Sequence, residues 1–184
     1  MTGRIHHIAI STAGSSVLGP VVAHARLGGA RSWGLISAAA AVGSLAGGAV
    51  MLRIRPRRML LAATLGVFPE ALYLFALAVP LTVPLIAAAA LITGVGLTVF
   101  GVNWSTTMQQ EIPPEMLSRL SSYDALGSYA LAPVGALTAG PLADAFGPRA
   151  VLTVGAVLVI ALTAAVLFVP EVRHLTRASA PPPP

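Results

Sequence analysis

The chain has 184 residues, of which 56% are hydrophobic and 9% charged, and its mean hydropathy is +0.84. A soluble domain carries about 25% charged residues, so a globule solvated by water on all sides is excluded and lipid is the expected solvent. The net charge of +5 does not point to nucleic acid: all the basic residues are arginine, and Arg53, Arg55, Arg57 and Arg58 crowd into one stretch, "RIRPRR", between apolar runs with no aromatic platform beside them.

A membrane crossing needs about 20 mostly apolar residues, and cutting the chain at its charged and proline-rich points predicts six spans. The expected class is therefore an all-α membrane protein embedded in a lipid bilayer. The first span, 8–23, is short and serine-rich and reads as a truncated helix; its thin basic start and polar middle do not fit a signal peptide. The second, 33–52, carries Gly43 and Gly47 one turn apart with Gly48 adjacent, and small residues at that spacing let helices approach closely in lipid. Such a face serves static packing and rocking motion alike.

The third span, 59–80, holds Pro69 and Glu70 inside an otherwise apolar run. An ionised side chain at the centre of a span costs roughly 2.5–3.5 kcal/mol on insertion scales, so Glu70 is expected to face the bundle interior or a wet cavity. Tyr73, one turn on, is its nearest candidate hydrogen-bond partner, and Pro69 removes a backbone hydrogen bond and is expected to kink the helix. Glu70 reads as a proton-coupling carboxylate, as an anchor for a cationic substrate, or as a glutamate without a transport role.

The fourth span, 84–105, runs into "GVNWSTTMQQE", where Asn103, Thr107 and Gln110 share one helical face. That stripe fits the mouth of a path, and equally an ordinary helix end anchored at the interface by Trp104. "IPPEMLSRLSS" follows and predicts a short helix lying on the membrane surface. The fifth span, 123–143, carries a second small-residue stripe of Ala132, Ala136 and Gly140, and the sixth covers 150–169. Residues 1–173 thus form one six-helix bundle, and the proline-ended tail 174–184 is expected to be disordered.

Arginine placement sets the orientation. With six spans, Arg4, Arg53, Arg55, Arg57, Arg58, Arg119, Arg173 and Arg177 fall on one side and Arg26, Arg31 and Arg149 on the other. The richer side is the expected cytoplasmic one, which puts the 53–58 loop, the 107–122 loop and the C-terminus in the cytoplasm of a multi-pass cell-membrane protein.

An offset of 92 residues superimposes "VGSLAGGAVMLRIRPRRML" on "VGALTAGPLADAFGPRAVL", pairing Gly48 with Gly140, Pro56 with Pro148 and Arg57 with Arg149. The offset carries span two onto span five, an odd number of crossings, so the copies have opposite orientations. That is a 3+3 inverted repeat, a pattern typical of secondary transporters; recurrent Gly, Pro and Arg at span ends give the alternative explanation.

"GPVVAHARLGGARSWGLISAAAAVGSLAGGAV" and "TTMQQEIPPEMLSRLSSYDALGSYALAPVGALTAGPLADAFGPR" resemble the C-terminal half of a major facilitator superfamily transporter, nearest to the multidrug and siderophore exporters similar to the enterobactin exporter. The resemblance covers about residues 18–173 and is strongest in the pattern of Gln109, Pro113 and Arg119. It implies a loop signature of Gly-x-x-x-Asp-x-x-Gly followed by two basic residues. Gly48, Arg57 and Arg58 keep part of it, with Leu52 at the Asp position, while Gly140, Asp144, Gly147 and Arg149 fit a loosened form in a loop placed outside. The resemblance further implies secondary-active efflux of a small-molecule substrate such as a drug or siderophore. A complete path then requires an N-terminal six-helix half or a second copy of the chain. The alternative is a non-transporting remnant or accessory membrane protein.

Other chemistry is sparse. Cysteine is absent, His6 and His7 are adjacent with no acidic partner at ligand spacing, and no nucleophile elbow, phosphate loop or paired carboxylates occur. No metal, no cofactor and no enzymatic activity are expected.

Overall fold

The computed structural model describes residues 6–54, 56–79, 81–169 and 172, all of whose regular structure is helical. The elements are α1 (His6–Arg26), α2 (Ala30–Arg53), α3 (Met59–Leu65), α4 (Phe68–Ala78), α5 (Val83–Glu111), α6 (Pro114–Phe146) and α7 (Pro148–Leu167). Arg4, Arg55, Arg173, Arg177 and the 174–184 tail lie outside the described residues.

Three corrections to the expected boundaries have physical causes. Helix α1 covers His6–Arg26, 21 residues with Pro20 inside it, and so extends beyond the 8–23 segment at both ends. The third span is broken into α3 and α4, and the break falls at Gly66–Val67 rather than at Pro69. A proline interferes with the turn before it, so the old helix stops upstream and Pro69 occupies the first turn of the new one. The expected surface helix after "IPP" is not separate: α6 runs unbroken for 33 residues from Pro114. Polarity changed which surroundings that stretch suits, but nothing between Pro114 and Pro133 obliges a helix to end.

Four segments are long and apolar enough to cross a membrane: α2, α3 with α4, α5 and α7. Helices α1 and α6 are not among them. Large apolar side chains lie exposed along the outer faces, Leu45 at 77% and Leu52 at 83% on α2 among them, as lipid contact requires.

The most extensive helix contacts are α2 with α5, α1 with α6 and α4 with α7, and α5 also packs along both α3 and α4. The α2–α5 seam is made by backbone contact. A Cβ added to Gly43 would strike the Leu91 carbonyl, one on Gly47 would come within 2.8 Å of the Val95 carbonyl, and one on Gly94 would strike the Ala40 carbonyl. The Thr98 hydroxyl adds a hydrogen bond of 3.2 Å to the Ser44 carbonyl across the same seam. Leu18, Ile36, Leu74, Ile86, Leu152 and Val159, contributed by five helices, form the apolar core.

Short connections fix the ends. Gly28 and Gly29, at φ 87° and 86°, turn α1 into α2, helped by a hydrogen bond from the Ser32 hydroxyl to the Leu27 carbonyl. Gly147 alone joins α6 to α7 at φ 82°, a region other residues rarely adopt. At the opposite end, Trp104 of α5 stacks on Phe100 with ring centroids 6.3 Å apart and donates its indole N–H to Asp124 of α6 at 3.2 Å.

Candidate functional site

Glu70 sits in the first turn of α4 and is 2% exposed. The chain break that precedes it is held by specific contacts. Thr64 closes α3 with a 2.8 Å hydrogen bond to the Leu60 carbonyl, Val67 N–H reaches the Thr64 carbonyl at 3.2 Å, and Glu70 N–H reaches the Val67 carbonyl at 3.0 Å. From α5, the Thr93 hydroxyl donates to the Pro69 carbonyl at 2.8 Å. The Gly66 and Gly96 backbones meet so closely that a Cβ on either would strike the other's carbonyl. Thus α5 grips the break from outside and presents Glu70 inward.

The hydroxyl that meets the Glu70 side chain belongs to Ser15 of α1, a buried serine 55 positions away in sequence, and not to Tyr73, which is half-buried one turn along α4. Glu70 Oε1 has no hydrogen-bond partner among the described residues, and the same holds for the hydroxyl of Thr163 on α7. Both atoms are buried on helices that pack together, with Leu74 of α4 lying against Gly155 of α7. A buried polar atom left without a partner costs about 1–3 kcal/mol, so this junction of α1, α4 and α7 keeps capacity for a proton or a water that its own side chains do not use.

The remaining candidates separate. Asn103 and Thr107 are buried. Asn103 donates to the Val99 carbonyl at 2.8 Å and to Met51 Sδ on α2 at 3.2 Å, and Thr107 donates to the Asn103 carbonyl at 2.8 Å. Gln110 is exposed, so the stripe divides between a satisfied helix contact and the surface.

Gly43 and Gly47 are the buried contacts of the α2–α5 seam. Gly48 and Gly140 have open space where a Cβ would stand, and among the described residues of α6 the buried small ones are Gly135 and Ala139, with Ala132 and Ala136 half-buried. Arg57, Arg58, Asp144 and Arg149 are exposed at helix ends.

Sequence reasoning missed Ser15, Thr93, Asp124 and Thr163. The serine-rich character of the first helix was the one available signal, because a helix too polar for lipid must turn its hydroxyls toward protein or water.

No family model and no solved structure matches the chain. Among curated proteins it is similar to the multidrug efflux pump Tap of Mycolicibacterium fortuitum, 34% identical over 151 residues, a stretch that is 80% of this chain and 36% of that pump. The chain therefore spans little more than a third of the relative's length. The relative is a transporter and not an enzyme, in agreement with the sequence reading. Together with the four apolar spans, the similarity makes the chain an all-helical, multi-pass membrane protein.

Proposed function

We propose that the chain works as the C-terminal half of a secondary-active exporter of the major facilitator type, moving a small drug-like or siderophore-like molecule. The observation that carries export is the similarity to a multidrug efflux pump over four-fifths of the chain. The half assignment draws support from the helix pairing. If α3 and α4 count as one span, exchanging the first three spans with the last three converts the α2–α5 pair into the α6–α1 pair, returns the α4–α7 pair to itself, and turns the packing of α3 and α4 on α5 into the less extensive packing of α7 on α1. A 3+3 repeat requires that invariance.

The two helices that fall short of membrane apolarity, α1 and α6, are packed on each other. Their lower apolarity suits a water-lined path, and the exposed Leu126, Leu137 and Phe146 of α6 offer apolar contact to a second six-helix unit. An N-terminal half or a second copy of the chain fits there, with substrate held between the units near the midplane. The arginine-rich 53–58 loop, the 107–122 loop and the C-terminus are taken as cytoplasmic.

Within this reading Glu70 couples protons and does not anchor substrate. Its 2% exposure admits a proton through hydrogen-bonded groups but leaves no face for a bulky cation.

The test is efflux of ethidium from proteoliposomes carrying a pH gradient, with the mass of the reconstituted assembly measured in parallel. Proton-driven efflux by a two-unit assembly, lost in Glu70→Gln at unchanged insertion, is the expected result. A correctly inserted two-unit assembly that moves nothing under the gradient would support an accessory, non-transporting role instead.

A further inference from the structure

At the membrane end where α1 and α4 finish and α7 begins, a cavity of about 100 Å³ is lined by Val21, Val22, Arg26, Leu77, Pro148 and Arg149. On the far side of the first turn of α7, a wide groove of about 490 Å³ runs past Phe146, Ala150, Thr153 and Val154, and Arg149 borders it too. Arg149 is thus the common wall of a small basic cavity and a larger, mostly apolar groove.

Local structure explains only one of the two arginines. Arg26 is in the last turn of α1, where the helix macrodipole favours a cation. Arg149 is in the first turn of α7, where the same dipole disfavours one. Neither is in an ion pair among the described residues, and no carboxylate lines the cavity. Two cations held at the mouth of an apolar recess, one against its own helix dipole, call for an anion from outside.

We infer that this site binds an anionic phospholipid, its phosphate between Arg26 and Arg149 and an acyl chain along Ala150, Thr153 and Val154. Lipid is favoured over a soluble anion because the groove continuing from Arg149 is apolar and its rim is exposed: Phe146 is 71% and Val154 57% exposed. Charge complementarity selects the headgroup, and the adjoining groove selects the tail. The inference requires only that the chain sits in a bilayer and is independent of whether it transports.

The full 184-residue chain, purified in detergent, is titrated with dioleoyl phosphatidylglycerol, dioleoyl phosphatidylcholine or inorganic phosphate, and bound lipid is counted by native mass spectrometry. Phosphatidylglycerol should be retained in preference to phosphatidylcholine. A surface arginine contributes about a fivefold effect on anionic-lipid affinity, so Arg149→Gln should weaken retention by about fivefold and Arg26→Gln with Arg149→Gln by about 25-fold, while Arg149→Lys keeps most of it. Thermal melting checks folding, and if the double variant does not fold, the Gln-against-Lys comparison at position 149 decides. Equal retention of the two lipids, unchanged retention in folded Gln variants, or displacement of phosphatidylglycerol by equimolar inorganic phosphate would overturn the assignment, the last pointing to a free-anion site.

Discussion

The α2–α5 seam and the α1–α4–α7 junction solve the same problem, helix association in lipid, in opposite ways. The seam removes side chains until backbones touch, at Gly43 against Leu91 and Gly94 against Ala40, and its polar groups are paired, Thr98 with the Ser44 carbonyl and Asn103 with Val99 and Met51. The junction packs full side chains such as Leu18, Leu74 and Val159, and two of its polar atoms, Glu70 Oε1 and the Thr163 hydroxyl, have no partner among the described residues. The first region has a single good arrangement. The second has unused bonding capacity, which is what a region needs if its arrangement is to depend on a proton.

The sharpest way to break this contrast is to add atoms to the seam. Gly43→Leu drives carbon into the Leu91 backbone, and since overpacking costs typically 1–3 kcal/mol and more where backbone blocks relief, loss of folded protein in detergent thermal melts is expected. A seam that tolerates leucine at this position would not be the rigid element described.

At the junction the opposite substitution should help. Thr163→Val replaces an unpartnered hydroxyl with a methyl of the same shape, and relief of a buried, unpaired group should raise stability by about 1 kcal/mol in a steric-trap or denaturant titration. A loss instead would mean that Thr163 has a bonded partner in the membrane.

Thr93→Val removes the hydrogen bond to the Pro69 carbonyl that holds the α3–α4 break. Side-chain hydrogen bonds in membranes average about 0.6 kcal/mol, so a loss of that size is expected in the same titration, together with faster hydrogen exchange around residues 66–70.

Glu70→Gln keeps the shape of the buried side chain and exchanges one polar atom for another, so its unfolding should shift by no more than the net worth of a hydrogen bond, about 1 kcal/mol. Proton-driven efflux should nevertheless disappear. Undiminished efflux in this variant would remove Glu70 from the coupling mechanism and make the junction a packing defect.

Much of the helical layout could be read from residue order, because lipid imposes a strong local rule: apolar runs of about 20 residues between charged or proline-rich points. Spans over 33–52 and 84–105 fall within a helix for these reasons, and 150–169 overruns the end of α7 by two residues. The α3–α4 break lies at Gly66–Val67, upstream of Pro69, where the Gly66 backbone meets that of Gly96, thirty residues away and without a signal in the local sequence. Burial of Glu70 followed from the cost of a charge in lipid, whereas its partner did not. Local spacing offered Tyr73, and the fold supplied Ser15 from another helix. Likewise Trp104 suggested an interfacial anchor, while its bond to Asp124 depends on where α6 begins its course.

Helix α6 has 33 residues, a length of about 50 Å at 1.5 Å per residue, against a hydrocarbon thickness of about 30 Å. Set across such a layer it would overhang like an oar, with the Gly147 joint to α7 as the rowlock. A few degrees of tilt at the Pro114 end become ångströms of displacement along the shaft, delivered to α1, on which it lies, and through the joint to α7. Of the two, α1 carries Ser15, which meets the Glu70 side chain, and α7 packs on the helix that carries Glu70. A tilt of this one helix would therefore be felt first by the two neighbours that stand nearest the buried carboxylate.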